Sequence, residues 1–184
     1  MFPVLIPTSR LLIRELEAAD WRAMHEYASL LEVVRYEPWG PNTEEESREF
    51  LLRAVEAQSS PARRSYELGL VLKETGALIG CAGIRPKLDE GMRDADFGYT
   101  LHPEAWGQGL ATEAARALVA FGFDELNLHR IWATCHVDNC ASARVLEKAG
   151  LRREGTLRQN RLQRGEWRDS HLYAILETDP RSEA

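Results

Sequence analysis

The chain has 184 residues, long enough for one domain with a full core, and its 44% apolar and 28% charged residues are those of a soluble globular protein. It contains no run of about 18 apolar residues, which excludes a membrane-spanning helix and argues against a membrane partner. The formal net charge of −6 argues against a nucleic-acid partner, whose phosphates attract basic faces, and favours basic small molecules such as amines. The start, Met1 to Pro7, lacks the basic region and the length of a signal peptide. The three cysteines, Cys81, Cys135 and Cys140, are few and odd in number, as expected of reduced thiols in a cytoplasmic protein.

In chain order, Arg10 to Leu16 predicts a first strand. Asp20 is placed to cap a helix running to about Leu31, with Trp21, Met24, Tyr27 and Ala28 on one face. Pro38 to Pro41 reads as a loop. Thr43 and Glu46 have capping-box spacing, and Phe50, Leu51, Ala54 and Val55 follow at helical intervals. Tyr66 to Leu72 and Ala77 to Ile84 predict a hairpin around Lys73 to Gly76, and Pro86 to Gly91 predicts a turn. Ala95 to Leu101 is a strand ending at His102-Pro103. Thr112 to Leu126 is helical, Arg130 to Val137 a strand, and Asn139 to Ala149 a helix stopped by Gly150. Leu151 to Arg161 and Trp167 to Thr178 predict a last antiparallel pair around Arg164-Gly165. The order β-α-α-β-β-β-α-β-α-β-β predicts an α/β (α+β) fold, a mixed and mostly antiparallel sheet of about seven strands with helices on both faces. No repeat or linker divides the chain, so one domain is expected over 1–184, with its core at about 8–178.

The most informative stretch is Trp106-Gly107-Gln108-Gly109-Leu110-Ala111-Thr112. Two glycines in a turn between a strand and a helix leave several backbone N–H groups aimed at one spot, beside the positive end of the helix dipole. That is a cradle for a phosphate or pyrophosphate. A dinucleotide-binding unit would have a third glycine where Thr112 stands and an acidic residue roughly 20 residues on, and neither is in place. A Walker A loop would have Lys-Ser or Lys-Thr after the glycine, which is missing.

The sequence resembles the GCN5-related N-acetyltransferase (GNAT) family over nearly its whole length, most strongly from Asp96 to Arg153. The family's pyrophosphate loop, Q/R-x-x-G-x-G/A, is matched from Gly109 on, with Trp106 in place of the usual Gln or Arg and Ala111 in the last position. Phe97-Gly98-Tyr99, His102-Pro103, Trp106 to Gly109, Thr112-Glu113-Ala114, His129-Arg130-Ile131, Asp138-Asn139, Ser142 and Leu146-Glu147-Lys148 with Gly150 resemble its Rim-type branch. That branch includes the ribosomal-protein N-acetyltransferases. The resemblance implies acetyl-CoA as donor, no metal, and a thioester lying between two splayed central strands. It further implies direct attack by a primary amine in a ternary complex. The acceptor is then a protein N-terminus, an amino acid or a small amine, and a homodimer stays open.

On this resemblance the cofactor-binding residues are Leu101, Trp106, Gly107, Gln108, Gly109, Leu110, Ala111, Thr112, Asn139 and Ser142. A backbone N–H near Thr100 or Leu101 polarises the thioester carbonyl; Leu101 is the candidate. Asn139 and Ser142 read either as a simple helix cap or as a pantetheine contact and a group near the sulfur. Many family members use a tyrosine general acid on this helix; Leu146 stands there, which makes Ser142 the candidate. Relatives place an acidic base on the penultimate strand, where this chain has Arg161. Glu37, Asp96, Glu104, Glu166, His102 and ordered water are the alternatives. Arg116, Arg144 and Lys148 are candidates for the 3′-phosphate. Cys135 and His136 point to opposite faces of a strand and do not make a metal site. A non-catalytic acyl-CoA-binding or sensor module is the rival reading.

Overall fold

The computed structural model describes residues 3–61, 63–87 and 91–181. Strand β1 (Leu5–Pro7) pairs with β2 (Leu11–Glu15), where Leu11 and Ile13 turn inward and Leu12 and Arg14 outward. Helices α1 (Trp21–Ala28) and α2 (Glu44–Gln58) follow. Strands β3 (Tyr66–Leu72), β4 (Leu78–Lys87) and β5 (Asp94–Leu101) form a meander. Helix α3 (Leu110–Asp124), strand β6 (Arg130–His136), helix α4 (Cys140–Lys148) and the hairpin β7 (Arg152–Gln163) and β8 (Glu166–Leu176) complete the chain. Among the described residues these strands form one sheet in the order β1-β2-β3-β4-β5-β6-β8-β7. The neighbours are antiparallel except β5 and β6, which are parallel.

The mixed, mostly antiparallel sheet agrees with the sequence expectation, with eight strands in place of about seven. The added one, β1, has three residues and an exposed Leu5, too short to carry a periodic signal. Asp20 was expected to cap α1, but its side chain makes no cap bond. It instead accepts from both terminal nitrogens of Arg14, at 2.8 and 2.9 Å, and from the Glu17 backbone N–H. A bidentate charge-assisted pair is stronger than a neutral cap, and α1 ends at Ala28, short of Leu31. Thr43 and Glu46 do form the capping box of α2.

The turn expected over Pro86 to Gly91 begins later, because β4 continues through Pro86 to Lys87; residues 88–90 lie outside the described residues. Proline is tolerated there for a geometric reason. His102 N–H donates to the Ile79 carbonyl, so alternation along the β4–β5 ladder makes Pro86–Ala95 a pair without mutual hydrogen bonds. The Pro86 nitrogen faces the β3 side, where pairing has already ended at Tyr66–Ile84. At the last hairpin, Arg164 and Gly165 both have positive φ, +46° and +81°, as a type I′ turn requires.

Alternation sorts the core into two layers. Leu68, Leu70, Ala82, Ile84, Ala95, Phe97, Ile131 and Ala133 pack against Ala114, Leu118 and Phe123 of α3. On the opposite face Leu16 and Cys81 pack against Met24, Tyr27 and Ala28 of α1 and Leu51 and Ala54 of α2. Leu118 is fully buried between α3 and the sheet. Leu118→Ala is expected to cost about 2–5 kcal/mol through lost transfer energy and the cavity left behind. Denaturant melts check this; a cost below about 1 kcal/mol would mean that α3 is not fixed by this layer.

Candidate active site

Strands β5 and β6 pair at only three positions, Asp94–Arg130, Ala95–Ile131 and Asp96–Trp132. Beyond Asp96 and Trp132 they part, and a cleft of about 730 Å³ passes between them. By the alternation fixed at His102–Ile79, the N–H groups of Tyr99 and Leu101 point away from β4, toward this gap. Thr100, opposite Cys81, has its N–H in the β4 ladder, so the ladder favours Leu101 over Thr100 as the backbone donor.

At the α3 face of the gap lies the glycine turn. Gly107 and Gly109 have φ of +72° and +80°, a region that L side chains avoid, so the turn requires glycine at both. Among the described residues, the backbone N–H groups from Gly107 through Thr112 meet no acceptor in the chain. They surround the N-terminus of a fifteen-residue helix. Six free donors at the positive end of a helix dipole fit a diphosphate. Trp106 turns its indole N–H back onto the Leu101 carbonyl at 2.9 Å, so its polar atom braces the loop. Two further bonds brace the turn: the His102 ring accepts from the Glu104 backbone N–H, and the Glu104 backbone carbonyl accepts from the Gln108 side chain.

Arg10 completes the loop. Its Nη1 donates to the Gln108 carbonyl at 2.8 Å, while Nε and the backbone N–H donate to the Glu113 carboxylate at 2.8 and 2.7 Å. Thr8 Oγ1 adds a bond to the same carboxylate at 2.6 Å. Burial pushes the Glu113 carboxyl up, but these donors outweigh it and hold it below its ordinary value. Nothing local in the sequence links positions 103 residues apart.

Asn139 and Ser142 open α4, and the geometry divides their labour. The Asn139 side-chain oxygen accepts from the Ser142 N–H at 3.0 Å, so Asn139 is the cap. The Ser142 hydroxyl is not used for capping; it lies 3.0 Å from the Tyr99 hydroxyl. Both face the cleft. Burial drives the Tyr99 phenol well above its ordinary value, so it stays protonated. Leu146 is buried in the core beneath them. Tyr99 had no chemical role in the sequence reading. The signal was its odd register with Phe97 and Leu101, which sends all three to the α3 and α4 face.

Through the gap, on the α1 and α2 face, stand Glu37, Arg85, Asp96, Thr134 and Arg161. Arg85 is matched by Asp96 at 2.8 Å and Glu67 at 3.0 Å, which ties β3, β4 and β5 together and occupies Asp96. Glu166 is engaged by Arg168. Glu37 is different: burial raises its carboxyl above the ordinary value despite the pull of Arg161. Arg161 donates to Thr134 Oγ1 at 2.8 Å. The loop carrying Glu37 is fixed by the last hairpin. Gln163 Nε2 donates to the carbonyls of Arg35 and Glu37 at 2.8 and 2.9 Å, and Arg164 to that of Val34 at 2.9 Å. Arg144 and Arg116 turn their Nε atoms to backbone carbonyls of Cys140 and Lys148. Cys135 is buried on one face and His136 stacks on Tyr36 on the other; among the described residues no three potential ligands gather to hold a metal. No helix among the described residues is long and apolar enough to cross a membrane.

Residues 10–152 match the family described as Acetyltransferase (GNAT) domain. The chain belongs to the GNAT acetyltransferase family. Among its relatives, the uncharacterized N-acetyltransferase YnaD of Bacillus subtilis is 37% identical over 174 residues, 95% of this chain and 98% of that protein. A GNAT-family acetyltransferase structure from Bacillus anthracis superposes with a TM-score of 0.85 at 36% identity, covering 96% of this chain and all of that one. Mycobacterium smegmatis RimJ, solved in complex with CoA-disulfide, reaches 0.79 at 26% identity, covering 96% of this chain and 90% of that one. The RimJ likeness agrees with the Rim-type motifs read from the sequence.

In this acetyltransferase the Glu113 cluster joins the segment before β2 to the start of α3. Glu113→Gln is expected to lower stability by about 1–3 kcal/mol at neutral pH, the range of hydrogen bonds to a charged group. Because the native carboxyl titrates below its unfolded value, that stabilisation is complete above the ordinary carboxylate range. It fades as pH falls through the depressed native value. Melting curves of both forms from neutral to acidic pH check this; a gap that does not narrow would remove the charge from the explanation.

Proposed function

We propose that the protein transfers acetyl from acetyl-CoA to a primary amine by direct attack, the donor entering from the α3 and α4 face and the amine from the α1 and α2 face. The observation that carries this reading is the cleft through the β5–β6 gap. It joins the side holding Tyr99, Asn139 and Ser142 to the side holding Glu37 and Arg161.

The glycine-turn amides hold the diphosphate, with Arg10 fixing the turn from behind. Asn139 keeps its side-chain amide N–H₂ for the pantetheine arm, since its oxygen is committed to the cap. Leu101 N–H faces the oxyanion that develops at the acetyl carbonyl, a preorganised donor where charge appears. An amine is an ammonium ion at neutral pH and loses a proton before attack. Glu37 takes that proton, directly or through water, and passes it to solvent. Ser142 gives its proton to the departing thiolate, and Tyr99 restores it. The phenol is refilled by the second proton that the attacking nitrogen sheds. In this arrangement Tyr99, reaching in from β5, supplies the phenol that Leu146 cannot.

CoA at about 100 times its Kd is expected to stabilise the fold by about 2.7 kcal/mol. Gly109→Val is expected to abolish that gain while the apo protein still folds. An unchanged shift in the variant would take the diphosphate away from the loop.

The catalytic roles call for a kinetic series with a working amine. Glu37→Gln, Ser142→Ala and Tyr99→Phe are each expected to lower kcat by about tenfold or more, within the usual range of acid–base contributions. The CoA-induced rise in Tm should survive in all three. For a proton-relay pair, Ser142→Ala with Tyr99→Phe should cost about as much as either alone. Additive losses would make the two hydroxyls independent, and unchanged kcat would leave protonation to water. Absence of any acetylated product across amines, with CoA still bound, would favour the sensor module.

A further inference from the structure

Arg161 is held in the wall of the cleft without an anionic partner. Its guanidinium donates to the Thr134 hydroxyl at 2.8 Å, and among the described residues no carboxylate lies within ion-pair distance. The other three arginines lining the cleft are matched, Arg53 by Glu49, Arg85 by Glu67 and Asp96, and Arg168 by Glu166. Arg161 also stands directly opposite Arg168 in the β7–β8 register. Like charges at such positions are destabilising, so the sheet gains nothing from placing Arg161 there. Part-buried cations are normally paired, and an arginine fork matches a carboxylate geometrically.

A second donor in the same cleft is unmet. Tyr27 lines it, and its hydroxyl is buried with no hydrogen-bond partner among the described residues. Glu37 is the complementary element: it feels the charge of Arg161 without touching it. The cleft therefore offers one carboxylate for an ammonium and a separate guanidinium for an anion. The loop that carries its Tyr36 to Trp39 wall is fixed by the hairpin bonds of Gln163 and Arg164.

We propose that the acceptor is a small amine that also carries a carboxylate, an amino acid or ω-amino acid, with the carboxylate bound by Arg161 and the ammonium by Glu37. This rests on the acetyl-transfer reading above and narrows its substrate class. A polyamine without a carboxylate would leave Arg161 unmatched and bring a second positive charge toward it.

The test is a panel of amino acids and ω-amino acids, each measured against its own carboxamide, with spermidine as a carboxylate-free polycation. The carboxylate of each productive pair is expected to have a kcat/KM at least about tenfold above its amide, the usual weight of one charge-assisted bond. Arg161→Gln should bring that ratio to within about threefold, and Arg161→Lys should keep part of it. Loss of acetylation for every amine would count against acetyl transfer itself, so a second readout does not need turnover. With CoA present, an N-acetyl amino acid should raise Tm in the parent protein more than its N-acetyl amide does, and Arg161→Gln should erase the difference. Amides or spermidine used as well as the acids, a preference untouched by Arg161→Gln, or equal Tm shifts would each overturn the proposal.

Discussion

Two parallel strands that stop pairing after three positions set the terms for everything around them. A backbone N–H or C=O inside a sheet needs a partner, and β5 beyond Asp96 has one on the β4 side only. The side facing the gap is partly closed by the chain itself, through the Trp106 indole on the Leu101 carbonyl. The N–H groups of Tyr99 and Leu101 stay directed at the opening. A sheet with such a gap in its centre leaves these N–H groups to solvent or to a ligand that can bond to a strand edge. The gap also does what a groove on one face could not: it connects two faces of one sheet, so two substrates can meet from opposite sides without sharing an entrance.

That opening would be a weakness if its rims were loose, and three polar clusters hold those rims. Arg10 and Glu113 join the edge before β2 to the first turn of α3, which fixes the glycine turn. Arg85 with Glu67 and Asp96 fastens β3, β4 and β5 at the point where β5 leaves β6. Gln163 and Arg164 hold the loop of Glu37 against the last hairpin. The first and the third span positions 103 and 126 residues apart, so they fix elements that local propensity cannot. Preorganised donors are effective because they need no rearrangement as charge develops.

The same distinction explains how much was legible beforehand. The helices, the meander and the glycine turn were readable because period, caps and positive-φ residues are local signals; Thr43 with Glu46 and the stop at Gly150 are examples. Strand β1 was not, since three residues carry no period, and Pro86 read as a turn because its tolerance depends on where β3 ends. The Asp20 cap failed because Arg14, six residues earlier and on another element, competed for the carboxylate. In the site, Asn139 and Ser142 are visible as a pair, but which one caps is decided by the distant Tyr99, whose hydroxyl meets that of Ser142. Tyr99 and Arg10 were missed as site residues because their partners, Ser142 and Glu113, are distant in sequence.

The cleft also shows why a whole-chain charge is a poor guide to recognition. A net charge of −6 pointed to cationic partners, and as a statement about long-range attraction it holds. At contact distance the count of matched groups decides instead, because desolvation penalises any charge left without a partner. Arg85 and Arg161 line one wall and carry the same charge, yet Arg85 meets two carboxylates and Arg161 meets a hydroxyl. The first is already part of the scaffold. The second has bonding capacity to spare, beside Glu37, whose carboxyl burial holds above its ordinary value. An acidic protein can therefore draw amines toward its surface and still, at the end of the cleft, favour the amine that brings an anion with it.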